Sequence, residues 1–230
     1  MSKAESIGRR NALIVFLLYE ILSLTGAIFF TASPPPYWIA WAHIGITLGV
    51  VPIGLFVWLT NKGGVSGEQL GLSLAAGRYS WSSLVRDSVG LFLLQKLLVY
   101  ALWPFVYILL WRIDALIVPT DPTELRPKAG FMWFGVGLMF SILPGFIEEV
   151  FYRGILNVSF GDAIRNSTYR KAFILTSGIL FGLGHIDQGF TGVVVMSVMG
   201  GCNAYVFIRV KTLWPLITSH VAFNLTYYFF

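Results

Sequence analysis

Residues 131–153 read FMWFGVGLMFSILPGFIEEVFYR. The first 17 of them carry no ionisable group; two glutamates then stand side by side, with an arginine four residues after the second. A helix needs about 20 apolar residues to cross a hydrocarbon core of about 30 Å, so the run reads as a membrane span. The question it leaves is what Glu148, Glu149 and Arg153 do at such a place.

The rest of the chain has the same character. Of 230 residues, 56% are hydrophobic and only 12% charged, with a mean hydropathy of +0.73. A soluble domain carries about 25% charged residues. Long unbroken apolar runs also exclude a transmembrane barrel, whose strands alternate over about 10 residues. The fold class is therefore all-α: one integral membrane domain over 1–230, a polytopic helical bundle of seven or eight spans. Seven candidate spans are readable, at 11–31, 38–60, 87–111, 131–156, 172–187, 190–208 and 212–230. The stretch 64–84 is too polar to span and reads as a loop or an interfacial helix. The run after MSKAESIGRR is long enough to span, and prolines follow the place where a leader would be cut, so it reads as a retained anchor.

Lysine and arginine set the orientation. Of the 16, twelve fall on the N-terminal side, three (Arg112, Arg126 and Lys128) on the other, and Lys96 lies within a span. The N-terminus is thus expected in the cytoplasm, and the expected location is a prokaryotic plasma membrane. This asymmetry accounts for the net charge of +5 through topology and anionic lipid, and no nucleic-acid partner is expected. The single cysteine, Cys202, excludes an internal disulfide.

Ionisable groups within spans are costly and are functional candidates by default. They are Glu20, His43, Lys96, Glu148, Glu149, His185 and His220, with Asp187 near a span end. Glu149 and Arg153 are i and i+4, acid first, and share a helix face. Glu148 is turned about 100° away, beside Tyr152 and without a local cation, a setting that suits a general base. Pro144 and Gly145 just upstream are expected to break or kink the helix. In FGLGH, Phe181 and His185 are again i and i+4, with Gly182 and Gly184 permitting close helix approach. In HVAFN, His220 and Asn224 direct an imidazole and a carboxamide to one point, the donors of an oxyanion hole. Alone, Glu149 is equally well explained as a cap or a local ion pair, and His185 and the His220–Asn224 pair are better explained as hydrogen bonds between helices. Three such pairs in the last third of the chain make a cluster. His43 reads as structural, and Glu20 and Lys96 as a pair across spans.

EEVFYRG, FGLGH and HVAFN, in that order, resemble the CAAX protease and bacteriocin-processing (Abi) family, which includes the type II CAAX prenyl endopeptidases. The motifs lie within 144–224. The resemblance implies an intramembrane endopeptidase, open to the cytosol, cutting a prenylated C-terminus or a peptide leader. Glu148 and His185 would activate a water. His220 and Asn224 would stabilise the tetrahedral intermediate, with Glu149, Arg153 and Phe181 in support. The implied partners are the bilayer and a prenylated or membrane-associated peptide. Glu148, His185 and His220 are also residue types that hold zinc with an open position. No His-Glu-x-x-His arrangement is present, however, and the expectation is a metal-free site with no cofactor, zinc being the alternative. Two other classes fit the residues: a non-catalytic immunity or regulatory protein on the same scaffold, and a transporter with a Glu/His proton relay. Retention of all the motif residues speaks against the first, and the lack of an internal repeat against the second.

Overall fold

In lipid every backbone N–H and C=O must be satisfied internally, and a helix does this within one segment. Accordingly each of the seven apolar stretches contains a helix in the computed structural model, which describes residues 3–32, 45–73, 80–117 and 131–229. The helices are α1 (Lys3–Ala32), α2 (Val51–Asn61, entered through a π turn at Ile46–Val50), α3 (Trp81–Ile117), α4 (Phe131–Glu149), α5 (Leu156–Phe160), α6 (Ser167–Leu183), α7 (Gly189–Val210) and α8 (Trp214–Phe229). A π segment, Val150–Ile155, joins α4 to α5 without a break, so 131–160 is one rod. Among the described residues there is no strand. Three helical stretches are long and apolar enough to cross a membrane by length and composition: Lys3–Ile28, Trp81–Asp114 and Ile186–Val210.

The interior is largely apolar, and so is much of the outer surface. Large apolar residues face outward: Ile21 is 63% exposed, Leu97 65% and Ile108 70%. The interior holds Glu20, Gln95, Glu149, Arg153, Asn203 and His220, all buried. Apolar faces of this extent suit lipid contact.

Small residues set the helix spacings around the last third of the chain. A Cβ on Gly178 of α6 would stand 2.7 Å from the Ser197 carbonyl oxygen of α7, and one on Gly200 2.9 Å from the Cβ of Phe181. Glycine at these places lets α6 and α7 pack backbone to backbone. In the same way Gly145 of α4 admits Val221 of α8, whose side chain would lie 2.7 Å from an added Cβ. That contact brings the end of α4 against the middle of α8. Aromatic rings of α1 close the other side: Tyr19 stacks on Phe151 with centroids 4.1 Å apart, and Phe16 meets Tyr152 edge-on at 5.8 Å.

Several expectations change here. Pro144 lies inside α4 and does not break it; the irregularity is the π segment that follows the glutamates. Such π turns occur where a helix must re-aim side chains, frequently at functional sites. The predicted span at 172–187 ends early, at Leu183, because Gly184 and Gly189 flank a short 3-10 turn, Ile186–Gln188. Glu20 and Lys96 do not pair. Glu20 sits near the Tyr152 hydroxyl, whereas the Lys96 ammonium lies over the Phe223 ring, 4.1 Å from its centroid. The polar stretch after α2 is a turn structure over 64–73. It is tied to the α7–α8 junction by Leu213 N–H donating to the Gly71 carbonyl (2.8 Å) and Trp214 Nε1–H to that of Leu72 (2.9 Å). His43, positions 74–79 and most of the loop 112–130 lie outside the described residues.

Candidate active site

Glu149 is the centre of a buried polar network. Its Oε2 lies 3.3 Å from Arg153 Nε, both side chains being fully buried. Its Oε1 accepts from His220 Nδ1 at 2.9 Å and from Asn203 Nδ2 at 3.1 Å. A carboxylate paired with a guanidinium only accepts, so His220 carries its hydrogen on Nδ1. Asn203 Oδ1 in turn accepts from Gln95 Nε2 at 3.2 Å. One carboxylate therefore locks together α4, α7 and α8, and through Gln95 also α3.

Arg153 has further neighbours. Its Nη2 donates to the Gly200 carbonyl at 3.0 Å, and its guanidinium lies over the Phe181 ring, 4.6 Å from the centroid. Gly200 thus serves twice: its missing side chain makes room for Phe181, and its carbonyl takes an arginine hydrogen. The Phe181 ring is a hub, with Tyr152 at 5.3 Å, His185 at 4.7 Å and His220 at 6.1 Å between centroids.

Glu148 is arranged differently. It is 9% exposed, and its Oε2 is buried without a hydrogen bond among the described residues. His220 Nε2 lies 3.7 Å from that oxygen. The imidazole of His220 therefore bridges the two glutamates, bonded to Glu149 through Nδ1 and facing Glu148 with Nε2. The helical offset between Glu148 and Glu149 is what sends them to opposite edges of one ring.

His185 stands in the break between α6 and α7, not within a helix. The last carbonyls of a helix have no intrahelical partner. That of Phe181 accepts from His185 Nδ1 at 2.8 Å. A carbonyl cannot donate, so this hydrogen is on Nδ1, and Nε2 of the neutral ring is left as an acceptor. The break is anchored by Asp114 of α3, whose Oδ1 accepts the N–H groups of Phe190 (2.7 Å) and Thr191 (3.3 Å) at the start of α7. Asp114 also accepts from the Thr191 hydroxyl.

Of the residues singled out in the sequence, Glu148, Glu149, Arg153, Phe181 and His220 form one contact cluster, and His185 joins it through the Phe181 ring and carbonyl. His185 and Glu148 make no hydrogen bond with each other. Asn224, half-buried on α8, makes no hydrogen bond to a described residue. The expected convergence of His220 and Asn224 as a pair of donors is modified, since one nitrogen of His220 is taken by Glu149. The sequence reading missed Asn203, Gln95 and Asp114. The first two are neutral and so escaped a search for ionisable groups, although an amide in an apolar run carries the same desolvation signal. Asp114 was assigned to a loop. Among the described residues no group of three or more His, Cys, Asp or Glu is placed to hold a metal ion.

No curated protein and no solved structure matches the chain significantly. Residues 130–226 match the family model described as type II CAAX prenyl endopeptidase Rce1-like. That segment holds all of EEVFYRG, FGLGH and HVAFN, and hence the cluster built above from hydrogen bonds and ring contacts. Over residues 130–226 the chain is thus similar to the type II CAAX prenyl endopeptidases of the Rce1-like family.

Proposed function

We propose that the chain is an intramembrane endopeptidase, a bundle of seven or eight spans with a cytoplasmic N-terminus, which hydrolyses a peptide bond near the C-terminus of a prenylated substrate. The observation that carries the reading is the His220 ring held between two glutamates in unlike environments. One of them, Glu149, is consumed by Arg153, His220 and Asn203. The other, Glu148, has a free buried oxygen at the same ring.

In the reaction Glu148 takes a proton from a water that His185 Nε2 also holds, and the water oxygen attacks the scissile carbonyl carbon. Glu149 keeps His220 oriented and stabilises its imidazolium, as a carboxylate does for a catalytic histidine. Protonated His220 then donates from Nε2, with the Asn224 amide, to the oxyanion of the tetrahedral intermediate. Collapse breaks the C–N bond, and Glu148 returns its proton to the leaving amine. Arg153 and Phe181 hold this assembly from behind. No step is routed through a metal.

The test is hydrolysis of a fluorogenic farnesylated CAAX peptide by protein in phosphatidylcholine vesicles, beside its unprenylated twin. Cleavage of the prenylated peptide is expected, with His185→Ala and Glu148→Ala each reducing turnover by about a hundredfold or more. EDTA is expected to leave the rate unchanged. Loss of activity on chelation, restored by zinc, would contradict the metal-free site. Cleavage of both peptides alike would contradict prenyl selection.

A further inference from the structure

Lys96 is a cation inside the apolar part of α3, and the mechanism does not use it. Its ammonium lies 4.1 Å from the Phe223 ring centroid, flanked by Phe92 at 5.8 Å and Tyr100 at 6.0 Å. Among the described residues no carboxylate pairs with it. An ammonium held in lipid by aromatic faces alone is costly and asks for an anion. Its place in the fold says which one. The preceding residue, Gln95, bonds to Asn203 and reaches Ser219 Oγ at 3.5 Å, so Lys96 is level with the Glu149 network and His220. Phe223 lies one turn after His220 and immediately before Asn224. Within the expected span 87–111, Lys96 lies about 14 Å along the axis from one end and about 22 Å from the other. A lipid phosphate beyond either end is out of direct hydrogen-bond reach of the ammonium. An anion that reaches Lys96 must come in with whatever occupies the site. Lys96 is partly exposed and accessible to it.

On the proposed reading of the site, the geometry points to Lys96 as the residue that binds the free C-terminal carboxylate of the substrate peptide. The ammonium donates to the terminal carboxylate while the bond to be cut lies across Glu148 and His220. Cleavage is then measured from the end of the chain, and the short leaving peptide carries the carboxylate away. An internal peptide segment, which ends in no carboxylate nearby, is disfavoured at the same place.

The experiment compares a prenylated peptide ending in a free acid with the same peptide ending in a carboxamide, in pure phosphatidylcholine vesicles and in vesicles containing phosphatidylglycerol. A charged hydrogen bond lost from a desolvated site predicts kcat/KM higher for the acid by at least about tenfold. Lys96→Met should bring the acid-to-amide ratio close to one, and Lys96→Arg should keep most of it. The ratio should be the same in both lipids. Equal cleavage of acid and amide by wild type, or a ratio untouched by Lys96→Met, overturns the assignment while leaving the endopeptidase reading in place. A ratio that appears only with phosphatidylglycerol overturns it in favour of a lipid anion. Cleavage of neither peptide by wild type overturns the endopeptidase reading, and this assignment with it.

Discussion

Two neighbouring glutamates occupy one helix, and the cost of removing each differs in kind. Glu149 neutralises a guanidinium with no exposure to water. Taking away one partner of a buried ion pair leaves an uncompensated charge, at a cost of about 3–5 kcal/mol. Glu149→Ala should therefore lower the melting temperature of the detergent-purified protein sharply, and adding Arg153→Met should restore part of the loss because the orphaned charge is gone. A double variant as unstable as the single would show that the pair is not the main cost. Glu148 holds no such partner, and its replacement should leave stability nearly unchanged. The i, i+4 spacing of Glu149 and Arg153 made their pairing legible in the sequence. The bond from His220 to Glu149 was not, since it joins positions 71 residues apart whose relative rotation depends on how α4 and α8 cross.

At the scale of the element, the break between α6 and α7 is the part that sequence periodicity could not place. FGLGHIDQGF continues the apolar pattern, so a span was expected to run to residue 187. The chain instead leaves the helix at Leu183 and re-enters it at Gly189, whose φ of 78° and ψ of −179° are accessible to glycine almost alone. Gly189→Ala should cost about 1–3 kcal/mol by that strain. It should also pull the Phe190 and Thr191 N–H groups off Asp114 and displace His185. The expected readout is a fall in kcat larger than the fall in thermal stability accounts for. The glycine packing of α6 against α7 makes a second prediction. Gly178→Ala drives a Cβ into the Ser197 carbonyl oxygen, a backbone atom that cannot swing aside. It should destabilise the protein by about 1–3 kcal/mol, measured by thermal unfolding in detergent.

At the scale of the whole molecule, hydropathy was enough to place a helix in each of the seven apolar stretches, because a chain that sends Leu97 and Ile108 outward and Arg153 inward has to carry long apolar runs. It was not enough to fix crossings. Those come from Gly145, Gly178 and Gly200, whose role lies in what they omit, and from Gln95 and Asn203, whose partners are on other helices. The basic residues predict that the N-terminus and the α2–α3 connection share the cytoplasmic side, with the segment after α3 opposite. In a Cys202→Ser background, an impermeant maleimide added to intact cells should label Glu124→Cys and spare Lys62→Cys until the membrane is opened. Labelling of Lys62→Cys in intact cells would reverse the orientation.

On the proposed reading Glu148 does the chemistry and Glu149 supports it, on opposite edges of the His220 ring. The decisive measurement is the turnover of a farnesylated CAAX peptide by Glu148→Gln in phosphatidylcholine vesicles, with its melting temperature measured alongside. A loss of about a hundredfold or more in kcat is expected at a melting temperature close to wild type. Turnover within a few-fold of wild type by a folded Glu148→Gln protein would contradict it.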